Sequence, residues 1–184
     1  MHRVRLTLRC TRLATAGFAR FRERVNSNVR PHTSDIAMTW PLEYQRASSE
    51  FERFMVAARD AAGLATTNMA WTMVEGVFLT FRRRLTIQQA LEFANVLPPL
   101  IRALFLDNWR PESEVEPFLG REALTAEVQG LRRQHNFSPN NAIEAVASAL
   151  RRVVDEVAFD RTLTHLPPEA AAFWDAPSVR EQRP

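Results

Sequence analysis

Arg82, Arg83 and Arg84 form the densest run of one charge between residue 38 and the end of the chain. Guanidinium groups hold carboxylates and phosphates through paired N–H donors, so the chemistry open to such a cluster is anion binding. Arg132-Arg133 and Arg151-Arg152 repeat the theme at the ends of later helical stretches. A site in which Arg82, Arg83, Arg84, Arg151 and Arg152 share an anion is therefore one candidate. A plainer reading stands beside it. Cations at a helix C-terminus are favoured by about 0.3–1 kcal/mol through the helix dipole, which is reason enough for arginines there.

Other chemistry finds less support. The four histidines (His2, His32, His135 and His165) are dispersed, and no pair has the spacing of a metal-binding helix. A histidine–carboxylate site built across the chain from His135, His165 and Asp160 is the one alternative of that kind. The five glycines include no Gly-x-Gly or Walker-like cluster, and no Gly-x-Ser-x-Gly elbow occurs. Cys10 lies far from any stretch that could place a base beside it, so a cysteine nucleophile is not expected. No catalytic, cofactor-binding or metal-ligating residue is assigned, and no cofactor is expected.

Charge divides the chain. Residues 1–37 hold eight arginines against Glu23 and Asp35, whereas residues 38–184 hold sixteen against nineteen carboxylates. There is no lysine. The first 37 residues therefore read as an arginine-rich extension, with three readings: a loose terminus, a basic amphipathic helix that touches nucleic acid or an anionic surface, or a transit peptide. The remaining body is mildly acidic and lacks the electrostatic footprint of a duplex-binding protein. No stretch reaches the roughly 18 apolar residues of a membrane span, so the chain is not read as transmembrane.

The elements that must position any site are helical throughout. "SEFE" sets Ser49 as an N-cap with Glu52 closing a capping box, and Phe51, Phe54, Met55, Ala58 and Ala62 then share one face. Gly63-Leu64 reads as a Schellman stop. Thr66 or Thr67 caps the next helix, which buries Ala70, Met73, Val74, Val77, Phe78, Phe81 and Leu85. Trp71 and Leu79 lie off that stripe, which places this helix centrally. Thr86 and Gln89 form a second capping box for a helix to about Asn95, and Pro98-Pro99 start a fourth, followed by Trp109.

After a polar, acidic linker over residues 110–117, the pattern restarts. Leu124, Val128 and Leu131 make a stripe, Asn136-Phe137 takes the stop position, and Ser138-Pro139 reads as a cap with proline at N1. The next helix buries Ala142, Val146, Ala149, Leu150, Val153 and Val157. A brief helical turn near Arg161 precedes Leu166-Pro167-Pro168 and Trp174. The expectation is an all-α protein of two tandem four-helix units, over 38–109 and 118–174, sharing one bundle, with a tail over 175–184. Trp109 and Trp174 are expected to seal the ends of the two units, and Trp40 to pack at the entrance to the first.

The stretches "FERFMVAARDAAGL", "MAWTMVEGVFLTFRRRL", "LPPLIRALFLDNW" and "AIEAVASALRRVV" with its following "LPP" are similar to the bacterial family called domain of unknown function 2267 (DUF 2267). The resemblance spans residues 50–174. It implies an all-helical, often duplicated, bacterial cytoplasmic protein, and it carries no activity or catalytic residue to transfer. Asn108 stands where that family commonly has glycine. The expected function is a non-catalytic helical interaction or scaffolding protein with a protein partner and room for homo-oligomerisation. The alternatives are an anion or nucleic-acid binder that works through the arginine arm, and an enzyme with a site between the halves.

Overall fold

The computed structural model describes residues 40–110 and 114–175. The readings made for residues 1–37, and for the tail beyond Asp175, lie outside the described residues. The described residues form eight helices and no strand: α1 (Leu42–Ala61), α2 (Thr67–Arg82), α3 (Ile87–Asn95), α4 (Pro99–Leu106), α5 (Arg121–Gly130), α6 (Ala142–Arg151), α7 (Glu156–His165) and α8 (Pro168–Phe173).

Helix ends follow local chemistry. At the end of α1, Gly63 has φ +65°, Leu64 N–H donates to Arg59 O at 2.9 Å and Gly63 N–H to Asp60 O at 3.1 Å. Those two bonds define the Schellman motif, and the positive φ is the reason glycine stands there. Thr66 Oγ1 accepts from Met69 N–H to open α2. The Thr86–Gln89 capping box forms with both of its bonds, at 2.9 and 3.3 Å. Pro98 and Pro167 open α4 and α8 with nearly the same backbone angles.

Several expectations need correction. α1 starts at Leu42 rather than at Ser49; the Pro41 carbonyl accepts from Tyr44 and Gln45 and begins the turn. The residues between Pro41 and Ser49 contain no breaker, so the helix runs through Ser49, whose hydroxyl donates to Arg46 O. Asn136 does not adopt the left-handed conformation; Arg132 does, with φ 48°. Asn136 instead donates through Nδ2 to the Val128 and Leu131 carbonyls, so its side chain closes α5. Ser138 serves that same loop, donating to Asn136 Oδ1, and Asn141 becomes the residue before α6. The turn near Arg161 is a full helix, α7, capped by Asp155, whose carboxylate accepts from Ala158 N–H at 2.9 Å. Val157 on it is 70% exposed, and Trp40 is 64% exposed rather than packed.

The helices pack crosswise. α1 lies against α2, α4 and α6, and α2 against α1, α4, α5 and α6; α3 meets α4 and α7, α5 meets α6, and α7 meets α8. α2 is the hub, with all seven residues of its expected stripe buried, although Trp71 is exposed. Its approach to α5 is close: a Cβ on Gly76 would come within 3.1 Å of Val128 O. The core runs through both halves and is aromatic at its centre. Phe78, Phe81, Phe93, Phe105, Phe159 and Trp174 are all at most 2% exposed. Each such side chain contributes about 1.5–3 kcal/mol by burial.

Trp174 does not seal an end. It lies inside that cluster, 5.4 Å from Phe93, 5.1 Å from Phe81 and 6.3 Å from Phe78 between ring centroids. Phe105 has the same three neighbours, at 5.1, 6.5 and 5.6 Å. Phe105 and Trp174 each stand seven residues after their proline, Pro98 and Pro167. Trp174 therefore shares its aromatic surroundings with Phe105, whereas Trp109 lies outside that cluster.

Candidate functional site

The Arg82–Arg84 run sits where α2 ends, and its three members meet three different fates. Arg84 is buried (its side chain 1% exposed) and surrounded by acceptors. Its Nη2 meets Glu127 Oε2 at 2.7 Å and Glu116 Oε2 at 3.7 Å, its Nε donates to Pro117 O at 3.0 Å, and its Nη1 donates to Thr80 O. This arginine ties the end of α2 to the segment before α5 and to α5 itself. Arg83 is half-exposed, pairs with Glu127 at 3.2 Å and, through its backbone carbonyl, accepts from Glu116 N–H at 2.9 Å.

Arg82 faces the other way. It is 6% exposed, and its Nη1 donates to the carbonyls of Phe105 and Asp107, the latter at 3.1 Å. Those are carbonyls that α4 leaves open at its C-terminus. The guanidinium also lies over the Trp109 ring, 5.7 Å from its centroid, a cation–π contact. Trp109 reaches it because Asn108 takes φ 50°, the left-handed turn. Asparagine tolerates that region better than other non-glycine residues, which accounts for asparagine where the resembling family commonly has glycine.

Arg82 differs from Arg84 in one further respect. Among the described residues, no carboxylate lies within ion-pair distance of its guanidinium, and Nε and Nη2 make no hydrogen bond. Burial pushes Arg82 below the ordinary arginine range; Asp107 opposes that shift and Arg83 adds to it. Two cavities adjoin the residue. One, of about 410 Å³, is lined by Leu79, Arg82, Arg83, Ile87, Trp109 and Arg110 among others. The second, of about 200 Å³, shares Leu79, Arg82 and Asn108 with the first and extends to Glu75 and Leu104.

The other candidates are placed apart. Arg151 pairs with Asp160 at 2.9 Å and lies over the Phe159 ring, and Arg152 is exposed. No hydrogen bond or ion pair joins Arg151 or Arg152 to Arg82, Arg83 or Arg84 among the described residues. His135 is exposed in the loop after α5, and His165 is the exposed last residue of α7. No group of three histidine, cysteine or acidic side chains converges among the described residues.

Sequence reasoning singled out Arg82 and Arg83 but missed the aromatic and apolar walls beside them. The usable signal was Asn108-Trp109 directly after α4: a residue suited to a left-handed turn, followed by a ring the turn can swing back. A family model described as an uncharacterized conserved protein (DUF2267) matches residues 51–173. No curated protein matches the chain.

Proposed function

The chain belongs to the DUF2267 family, and from that premise we propose that it is a binding protein rather than a catalyst, built from two copies of one four-helix unit. The duplication rests on reciprocal packing. Moving every helix label forward by four turns the α1–α6 contact into the α5–α2 contact and leaves α2–α6 and α3–α7 as they are, although the packing of α4 on α1 and α2 has no counterpart of the same extent at α8. Two equivalent units related by a two-fold axis would pack in this way. The shared surroundings of Phe105 and Trp174 point in the same direction.

The binding role rests on one observation above all. Trp40, Leu42 and Tyr44, within five residues at the start of α1, are 64%, 54% and 51% exposed. Single apolar residues at a surface are normal, whereas a dense group of them marks a contact surface. No described helix is long and apolar enough to cross a membrane; the partner proposed is a protein or a second copy of this chain. Affinity purification of the natively produced full chain, with mass spectrometry of everything retained, is the test. A stoichiometric protein partner or self-association is expected, reduced when Leu42 and Tyr44 are both changed to serine. A stoichiometric metal or organic cofactor, held in place of a partner, would overturn the reading.

A further inference from the structure

Two buried arginines lie two residues apart on the same helix end, and among the described residues only Arg84 is in an ion pair. Buried charges are normally paired, because leaving one unpaired in a poorly solvated site costs several kcal/mol after relaxation. Arg84 satisfies the rule through Glu127 and Glu116. Arg82 directly contacts two carbonyls and a ring, all neutral, with Asp107 acting on it from beyond ion-pair distance; of its two adjoining cavities the smaller is lined by Glu75 and Asp107, which leaves the larger as the place for an anion.

We infer that the larger cavity beside Arg82 forms a binding site for a small organic carboxylate carried on an apolar or aromatic body. Geometry selects the head group. Nη1 is engaged by Phe105 O and Asp107 O, which leaves the Nε–Nη2 edge. Two parallel N–H groups on one guanidinium edge match the two oxygens of a carboxylate in a bidentate pair. The walls select the body. Leu79, Leu85, Ile87, Trp109 and Val115 supply apolar and aromatic surface. A volume near 410 Å³ is within the usual range for a small-molecule site. Chloride or phosphate would meet Arg82 but leave those walls uncovered.

The site does not depend on the protein–protein role proposed above, since Trp40, Leu42 and Tyr44 line neither cavity.

The test is calorimetric titration of the full chain with phenylbutyrate, its neutral analogue phenylbutyramide, and inorganic phosphate. Saturable one-to-one binding of phenylbutyrate is expected, with the amide and phosphate each weaker by about tenfold or more, the scale of one charge-assisted hydrogen bond. Arg82→Gln removes the cation, but it also loosens the end of α4 and could compromise folding. Leu79→Glu is the second variant. Residue 79 is half-exposed, lines both cavities and precedes Arg82 by one helical turn, so the new carboxylate can pair with Arg82 from within. It should abolish phenylbutyrate binding while circular dichroism and melting temperature stay at or above those of the parent protein. Equal binding of acid and amide, undiminished binding by the Leu79→Glu protein, or no saturable binding at millimolar phenylbutyrate would each overturn the proposal.

Discussion

The two Leu-Pro-Pro segments start alike and end differently. Each opens a helix at its second proline, and each places an aromatic ring seven residues after its first proline in the central cluster: Phe105 from α4 and Trp174 from α8. Beyond that point they part. α8 is six residues long with Trp174 as the residue after it, whereas α4 is eight long and is followed by Asp107, the left-handed Asn108 and Trp109. Arginines close both ends. Arg82 reaches the carbonyls after α4 from within the protein, and Arg121, more exposed, donates to Phe173 O at 3.1 Å and Ala172 O at 2.9 Å. Phe105 and Trp174 carry the packing, and the residues after α4 help to build the groove. The buried rings read as stability, and the turn after α4 that brings Trp109 to Arg82 reads as specialisation.

The most direct way to break this comparison is to empty the two equivalent positions. Trp174→Ala and Phe105→Ala should each destabilise by about 3–5 kcal/mol, the usual cost of deleting a fully buried aromatic side chain. Urea denaturation followed by circular dichroism measures it. If Trp174→Ala cost less than about 1 kcal/mol while Phe105→Ala stayed near 4, the two rings would not hold equivalent places, and the duplicated plan would lose its strongest support.

A smaller change sharpens the same point. Trp174 Nε1 is buried without a hydrogen-bond partner. Such an orphan donor costs about 1–3 kcal/mol. Trp174→Phe removes it and leaves the ring that the other half uses, at the expense of some packing volume. The two effects oppose one another, so the net change should fall within about 1.5 kcal/mol of the parent. A loss as large as that of Trp174→Ala would mean that the indole shape, rather than an aromatic ring at that position, is what the core requires.

Much of this architecture could be read from residues alone, for a definable reason. Thr66, Thr86 with Gln89, Gly63 and the two proline pairs act within one turn of themselves, and each did what its type dictates. The buried face of α2 was legible because six apolar residues at helical spacing, with Leu85 just beyond the helix end, leave one solution. The errors arose where a side chain had a choice of partner. Ser49 could cap a helix or sit inside one, and the uninterrupted run back to Pro41 decided it. Asn136 could turn left-handed or bond to carbonyls, and the open end of α5 decided that. The groove was half legible: the arginine run was visible, but its division into an Arg84 in ion pairs and an Arg82 in none among the described residues depends on Glu127 and Glu116, which lie more than thirty residues away.

The smallest expected effect belongs to Trp109, and its smallness carries information. This ring is half-buried, lies outside the central aromatic cluster and has Arg82 as its charged neighbour. Trp109→Ala forfeits part of one side chain's burial and a cation–π contact of about 0.5–1 kcal/mol. Because Arg82 keeps its two carbonyl acceptors, the melting temperature should fall by only a few degrees, against a far larger fall for Trp174→Ala. Collisional quenching separates the two further: Trp174 is fully buried and should resist acrylamide, whereas Trp109 should be among the quenched tryptophans that the substitution removes. A stability loss from Trp109→Ala equal to that from Trp174→Ala would place both tryptophans in one structural role. The distinction between a shared core and a groove built by one half alone would then fall.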